Sequence, residues 1–173
     1  MQLAQDFVEI ARMGETEFSG EDVLVADLVR EVADSLWPLA NERGITFSFG
    51  DSSNSAFVMA EPDRLFRAFC NLIDNAIKFS PDNSNIAIAI ARQSTDVVVS
   101  VTDRGAGIAP DILPKLFSRF ATGSEHKGRV SGTGLGLTFV QAVVHRHQGA
   151  VSAANNTGGG ATFTVTLPEA PEA

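Results

Sequence analysis

Apolar residues recur at helical spacing in some stretches of the chain and alternate in others, and these two periods divide it into elements. Leu3, Phe7, Ile10 and Ala11 define a short amphipathic helix over residues 2–13, stopped by Gly14. A second helix, over about 25–42, carries Leu28, Val32, Leu36 and Leu39 on one stripe, with Pro38 a point of kinking or shortening and Gly44 the stop. Short strands are predicted at 45–49 and 57–59. Pro62 then opens the most strongly patterned helix, which runs to about Phe79 before Ser80-Pro81 ends it. Residues 86–91 and 97–102 read as paired strands around a turn at Gln93-Ser94. A helix near 111–119 follows. Residues 121–133 are rich in Gly, Ser and charge without an apolar period, the signature of a functional loop. A helix from Thr133 to about His147 and strands at 150–154 and 161–167, joined by a glycine-rich turn, complete the pattern. Hairpins interleaved with helices predict an α/β (α+β) two-layer sandwich, a mixed, mostly antiparallel sheet with helices on one face.

At 173 residues the chain suits one domain. Its net charge of −8, with Lys and Arg scattered rather than clustered, provides no basic stripe and argues against nucleic acid as a partner. Cys70 is the only cysteine, so no internal disulfide framework exists, and no Cys/His cluster has zinc spacing. The start lacks a secretory signal, and no apolar run approaches about 18 residues, so a soluble, cytoplasmic chain is expected, whether or not a parent protein is membrane-anchored.

Candidate chemistry concentrates in three places. On the helix 62–79, at about 100° per residue, Leu65, Phe69, Leu72, Ile73 and Ala76 share one side while Arg67, Asn71, Asn75 and Lys78 share the other. Two carboxamides and an ammonium so placed suit a hard cation and phosphate, although such a face standing alone is usually just solvated. The strand 97–102 delivers Asp103-Arg104-Gly105-Ala106-Gly107. Asp103 can accept a hydrogen bond from an exocyclic amine, and glycines let the backbone approach a flat ring, although the bland alternative is a tight turn. Gly132-Thr133-Gly134-Leu135-Gly136-Leu137 runs into a helix, an anion site in outline. Leu137 stands where a dinucleotide fingerprint needs glycine, and Arg129-Val130 follow Gly123–Gly128 where a P-loop needs Lys and Ser/Thr, so both of those matches fail.

Asn71–Phe79, Asp103–Gly107, Phe117-Ser118-Arg119-Phe120 and Gly132–Leu137, in this order, resemble the asparagine, first glycine, phenylalanine and second glycine boxes of sensor histidine kinases. The resemblance covers about residues 21–168. It implies the ATP-binding fold shared with gyrase, a heat-shock chaperone and a mismatch-repair ATPase, with a mixed sheet of about five strands behind three main helices. It further implies that Asn75 ligates Mg2+, that Asn71, Lys78 and Arg119 lie near metal and phosphates, and that Asp103 recognises the adenine amino group. Gly105, Gly107 and Ile108 would shape the purine pocket. Phe120, Gly132, Thr133, Gly134, Leu135, Gly136 and Leu137 would border the nucleotide, with the loop 108–131 hinged as a lid. Thr162 would join the adenine network through water.

Two departures matter. Ala121-Thr122 follow Phe120 where many members carry an aromatic and a basic residue, leaving Lys127 or Arg129 as substitutes. The family's phosphoacceptor hairpin is reduced to residues 1–20, which resemble its last helix and linker, with 169–173 a tail. His126, His145 and His147 lack the acidic neighbour of the acceptor and read as surface or helix-end residues. The resemblance therefore implies a catalytic part that donates the γ-phosphoryl group of ATP to a histidine outside this chain. Its partners would be ATP or ADP, the acceptor hairpin of the same kinase and, through it, a response regulator. The chain itself would be monomeric or weakly associating and the complete kinase a homodimer. The alternatives are a stand-alone serine kinase of the anti-sigma type and a nucleotide-sensing module without transfer activity.

Overall fold

A computed structural model describes residues 8–50, 55–118 and 134–171. Helical residues 8–12 (α1) lead into a linker, then β1 (Glu21–Leu24), α2 (Val25–Glu42), β2 (Thr46–Phe49), β3 (Phe57–Ala60) and α3 (Pro62–Phe79). After these come β4 (Asn85–Gln93), β5 (Asp96–Thr102), a 3₁₀ turn at Leu113–Lys115, α4 (Gly136–Arg146), β6 (Ala150–Asn155) and β7 (Ala161–Pro168). The main sheet has five strands in the order β2-β4-β5-β7-β6. Only β2 and β4 run parallel, and the other neighbours are antiparallel. This is the mixed two-layer sandwich that the sequence pattern predicts.

Strict alternation builds the core face of the sheet. Ile86, Ile88 and Ile90 of β4, Val97, Val99 and Val101 of β5, and Phe163, Val165 and Leu167 of β7 are buried on one side. Against them lie α2, α3 and α4, packed side by side. Helix α3 explains itself locally: Pro62 sits in its first turn, Asp63 complements the positive end of the helix and Lys78 the negative end. Its apolar stripe, Leu65, Phe69, Leu72, Ile73 and Ala76, is buried, each large side chain contributing about 1.5–3 kcal/mol. Arg43, just past α2, caps the far end of α3, donating to the carbonyls of Ile77 and Ser80. Helix α2 continues through Pro38 to Glu42.

The structure departs from the sequence pattern at three places. Strand β1 pairs antiparallel with β3 in a separate two-stranded sheet, which its four residues did not announce. The helix expected near 111–119 is a 3₁₀ turn, because Pro114 has no N–H for an α-helical bond; Ile112 and Leu116 anchor it in the core. Helix α4 begins at Gly136 rather than Thr133: Gly134 has φ +69, which no helical residue adopts.

The linker is fastened by one side chain. Arg146, at the end of α4, donates to the carbonyls of Met13, Thr16 (3.0 Å) and Glu17 (2.8 Å), and pairs with Glu61 at 2.5 and 2.9 Å. Glu61 also meets Arg64 at 2.7 Å, and Glu9 of α1 pairs with Arg67. These guanidinium partners hold the Glu61 carboxyl down at about 2, with the Arg146 hydrogen bond the largest cause. His147 beside them is buried. Its Nδ1–H donates to Val143 O at 2.7 Å, and its Nε2 accepts from the Glu61 N–H at 2.9 Å, which fixes a neutral tautomer. Burial pushes its pKa below the ordinary value. It is thus a helix-end residue, as the sequence suggests, but an interior one.

Candidate functional site

Two helices meet where the sequence concentrates its polar residues. Asn71 and Asn75 stand on α3 half-buried, and no described residue hydrogen-bonds either carboxamide. Opposite Asn71 is the first residue of α4. A Cβ placed on Gly136 would lie 3.4 Å from Asn71 Oδ1, so bare backbone faces the carboxamide there. The leading N–H groups of a helix have no internal partner, and they sum to a partial positive charge. An anion docked there meets backbone donors on one side and Asn71 on the other. Gly134 turns the chain into α4; Leu135 is buried in the core and Leu137 packs partly against it, so these residues offer the site backbone rather than side chain.

Lys78 is exposed at the end of the same helix face and pairs with Asp74 at 2.5 Å, one turn back. A surface pair of this kind is worth about 0.5 kcal/mol and yields readily to a phosphate. Phe79, the next residue, is the most exposed large apolar side chain described, at 69%. Periodicity gave no reason to single it out. Its signal was its place in the box immediately after Lys78, beside the first glycine loop.

That loop is fitted closely against α3. A Cβ on Gly105 would lie 2.4 Å from Phe79 O, so only glycine permits the contact. Asp103 is 4% exposed. Its Oδ1 accepts from the backbone N–H of Gly105 at 2.8 Å and from that of Ala161 at 3.2 Å. Burial raises its pKa, and those two hydrogen bonds oppose the rise. Both internal bonds go to Oδ1, which leaves Oδ2 to accept from a ligand donor such as an exocyclic amine. Gly107 adopts φ +81 and Ile108 follows half-buried, its backbone held by Asn155.

Thr162 is placed differently from its expected role. Its hydroxyl donates to Asn156 Oδ1 at 2.8 Å and meets Thr102 Oγ1 at 2.9 Å, while the neighbour that reaches the Asp103 carboxylate is Ala161, through its backbone. Phe117 packs edge-to-face on Phe163, centroids 6.5 Å apart, and its carbonyl accepts from Thr138 Oγ1 of α4 at 3.2 Å. Arg119, Phe120, Gly132 and Thr133, and residues 119–131 of the expected lid, lie outside the described residues. Among the described residues no helix is long and apolar enough to cross a membrane, and no group of His, Cys, Asp and Glu side chains could hold a metal ion by itself.

The structure thus sets two box regions against α3: the first residue of α4 at Asn71, and the loop after β5, with the buried carboxylate of Asp103, at Phe79. Comparison with known proteins identifies the family. The family of histidine kinase-, DNA gyrase B- and HSP90-like ATPases matches residues 60–171. The sensor protein SphS of Synechococcus elongatus is 34% identical over 98% of this chain and 44% of its own length. Among solved structures, full-length ShkA in complex with AMPPNP superimposes with a TM-score of 0.84 at 31% identity, over 99% of this chain and 36% of that one. The nucleotide-free catalytic domain of the histidine kinase ThkA does so with a TM-score of 0.77 at 27% identity, covering 87% and 96%. The chain spans less than half the length of SphS and of ShkA. The chain belongs to the histidine kinase-, DNA gyrase B- and HSP90-like ATPase family, as the ATP-binding catalytic domain of a sensor histidine kinase.

Proposed function

We propose that the chain presents Mg2+-ATP for transfer of the γ-phosphoryl group to a histidine elsewhere in the same kinase. The observation that carries this reading is the approach of Asn71 to the α4 N-terminus: a Cβ on Gly136 would lie 3.4 Å from Asn71 Oδ1, so the carboxamide stands beside the helix end whose leading N–H groups have no partner within the helix. In phosphoryl transfer the protein contributes positioning and charge stabilisation rather than covalent chemistry, and such a pairing suits both.

Mg2+ suits the donor set. It demands oxygen ligands but keeps several waters and shares phosphate oxygens, so it needs one or two protein ligands rather than a cage. Asn75, with a carboxamide unengaged by any described residue, would hold it, with Asn71 beside it. Bound there, the ion supplies charge neutralisation on the phosphates. Asp103 accepts the adenine amine on Oδ2, while Gly105, Gly107 and Ile108 form the loop beside the ring and exposed Phe79 covers its open side. Lys78 exchanges Asp74 for phosphate. The helix-end backbone at Gly134, Leu135, Gly136 and Leu137 binds the phosphates, and the resemblance adds Arg119, Phe120, Gly132 and Thr133 on that side. We assign Thr162 no direct contact with nucleotide.

Residues 1–20 are taken as the end of the acceptor hairpin and its linker, which agrees with helical residues 8–12. The acceptor hairpin, a homodimeric kinase and a response regulator downstream of it complete the proposed setting, in the cytoplasm. The test supplies the parent kinase's acceptor hairpin in trans with γ-labelled ATP and Mg2+. Label on the hairpin histidine, abolished by Asn75→Ala, is the expected result. Nucleotide binding without any labelling would overturn the transfer reading and leave a nucleotide-sensing module.

A further inference from the structure

Asn155 ends β6 at the sheet edge and reaches across to the first glycine loop. Its Oδ1 accepts from the N–H of Ile108 at 2.7 Å, and its Nδ2 donates to the carbonyl of the same residue at 2.8 Å. Only one orientation of the carboxamide satisfies both partners, since an amide N–H donates and a carbonyl accepts. A strand residue exchanges the same pair of bonds with its opposite neighbour, so the side chain of Asn155 extends the edge of the sheet onto the loop. Gly107 makes the approach possible: its φ is +81, and a Cβ there would lie 2.9 Å from Asn155 Oδ1.

The other end of the loop is tied to the same hairpin. Ala161 N–H holds the Asp103 carboxylate, and Asp103 N–H donates to Ala161 O at 2.9 Å. The turn between these anchors is itself closed by Asn156 N–H on Gly160 O at 2.9 Å. The loop from Asp103 to Ile108 is therefore suspended between two points of one β-hairpin, and at Ile108, whose side chain packs partly on the core, both backbone hydrogen bonds go to the one side chain of Asn155.

We propose that Asn155 is a positioning residue for nucleotide: it holds the first glycine loop in the shape that admits the purine. The inference rests on that loop being the purine site. Asn155 is exposed at the end of an edge strand, so its removal subtracts little from the core.

The test compares the chain with Asn155→Ala and Asn155→Asp, titrated calorimetrically with ATP and, separately, with inorganic tripolyphosphate, which lacks the purine. Loss of two hydrogen bonds to a partly solvated loop predicts about a tenfold weaker ATP affinity for Asn155→Ala. Asn155→Asp keeps the acceptor and loses the donor, and is expected to lie at or below Asn155→Ala because a carboxylate oxygen then faces Ile108 O. Tripolyphosphate affinity stays unchanged, and hydrogen exchange at the Ile108 amide quickens. Unchanged ATP affinity in both variants would overturn the proposal, as would equal weakening of ATP and tripolyphosphate together with a lowered nucleotide-free melting temperature. Asp103→Asn, run in parallel, separates the two levels. If it too leaves ATP binding intact, the purine-site reading itself has failed; if it abolishes binding while Asn155→Ala does nothing, only the role of Asn155 falls.

Discussion

Asn71 Oδ1 and Gly136 face each other at the junction of α3 and α4, with the position of a missing Cβ 3.4 Å from the oxygen. That distance is ordinary van der Waals contact, so the nucleotide-free fold has room for a methyl group there. Gly136 is the first residue of α4, where alanine is favoured over glycine by less than the roughly 0.5–1 kcal/mol of a helix interior. Gly136→Ala should therefore raise the melting temperature of the free chain slightly while crowding the helix end and weakening ATP. Calorimetric melting and titration on the same samples check both halves, and a variant that gains stability and keeps full affinity would contradict the phosphate assignment.

Asp103→Asn separates stability from recognition in a second way. Asparagine retains an oxygen for the Gly105 and Ala161 N–H groups, and it removes a carboxylate whose charge burial disfavours. Free-chain stability should hold or rise. The amide hydrogens then occupy the side offered to the adenine amine, so ATP affinity should fall roughly tenfold or more, as a titration would show.

Gly160 is required for a different reason. It adopts φ +85, and a Cβ there would lie 2.0 Å from Asp103 O. Gly160→Ala combines backbone strain with a clash against backbone, and should cost about 2 kcal/mol or more. Urea unfolding measures the loss, and ATP affinity should drop with it because the displaced residue is Asp103.

Much of this fold was legible because α3, β4, β5 and β7 each carry an unbroken apolar period, from Leu65 to Ala76 or from Val97 to Val101. What escaped was set by partners distant in sequence. Strand β1 is too short to show a period and exists because β3 pairs with it. Pro114 outweighed the apolar spacing of Ile112 and Leu116. The box residues Asn71, Asp103 and Gly136 could be picked out from type and order, whereas Asn155 looked like one more turn residue until the turn was folded against Ile108. The partners of Thr162, Asn156 and Thr102, were equally unreadable, because they are set by how the turn folds back on the sheet.

Stability should fall with acid in two steps. His147 is neutral in the fold with a pKa below 6.5, so the unfolded chain binds the proton more readily; its contribution is complete above 6.5 and is lost as pH falls through the lowered value. Glu61, held at about 2 against an ordinary 4.5, contributes fully above 4.5 and loses that contribution as pH falls towards 2. Arg146→Ala should shrink the second step and, by leaving Glu61 with Arg64 as its remaining guanidinium and the linker carbonyls without their donor, cost about 1–3 kcal/mol at neutral pH. Urea unfolding of both proteins across this pH range checks the sign and the size.

The central claim, a purine nucleotide bound between α3, α4 and the Asp103 loop, is tested most directly by the melting temperature of the chain with and without ATP and Mg2+, beside Asp103→Asn. A ligand that binds only the folded state at about a hundred times its dissociation constant adds roughly 2.7 kcal/mol, a shift of several degrees. The expected result is an upward shift for the native chain that falls to about half or less in Asp103→Asn, since a tenfold weaker affinity leaves about 1.4 kcal/mol at the same ATP concentration. No shift at millimolar ATP, or the same shift in both proteins, would contradict the site described.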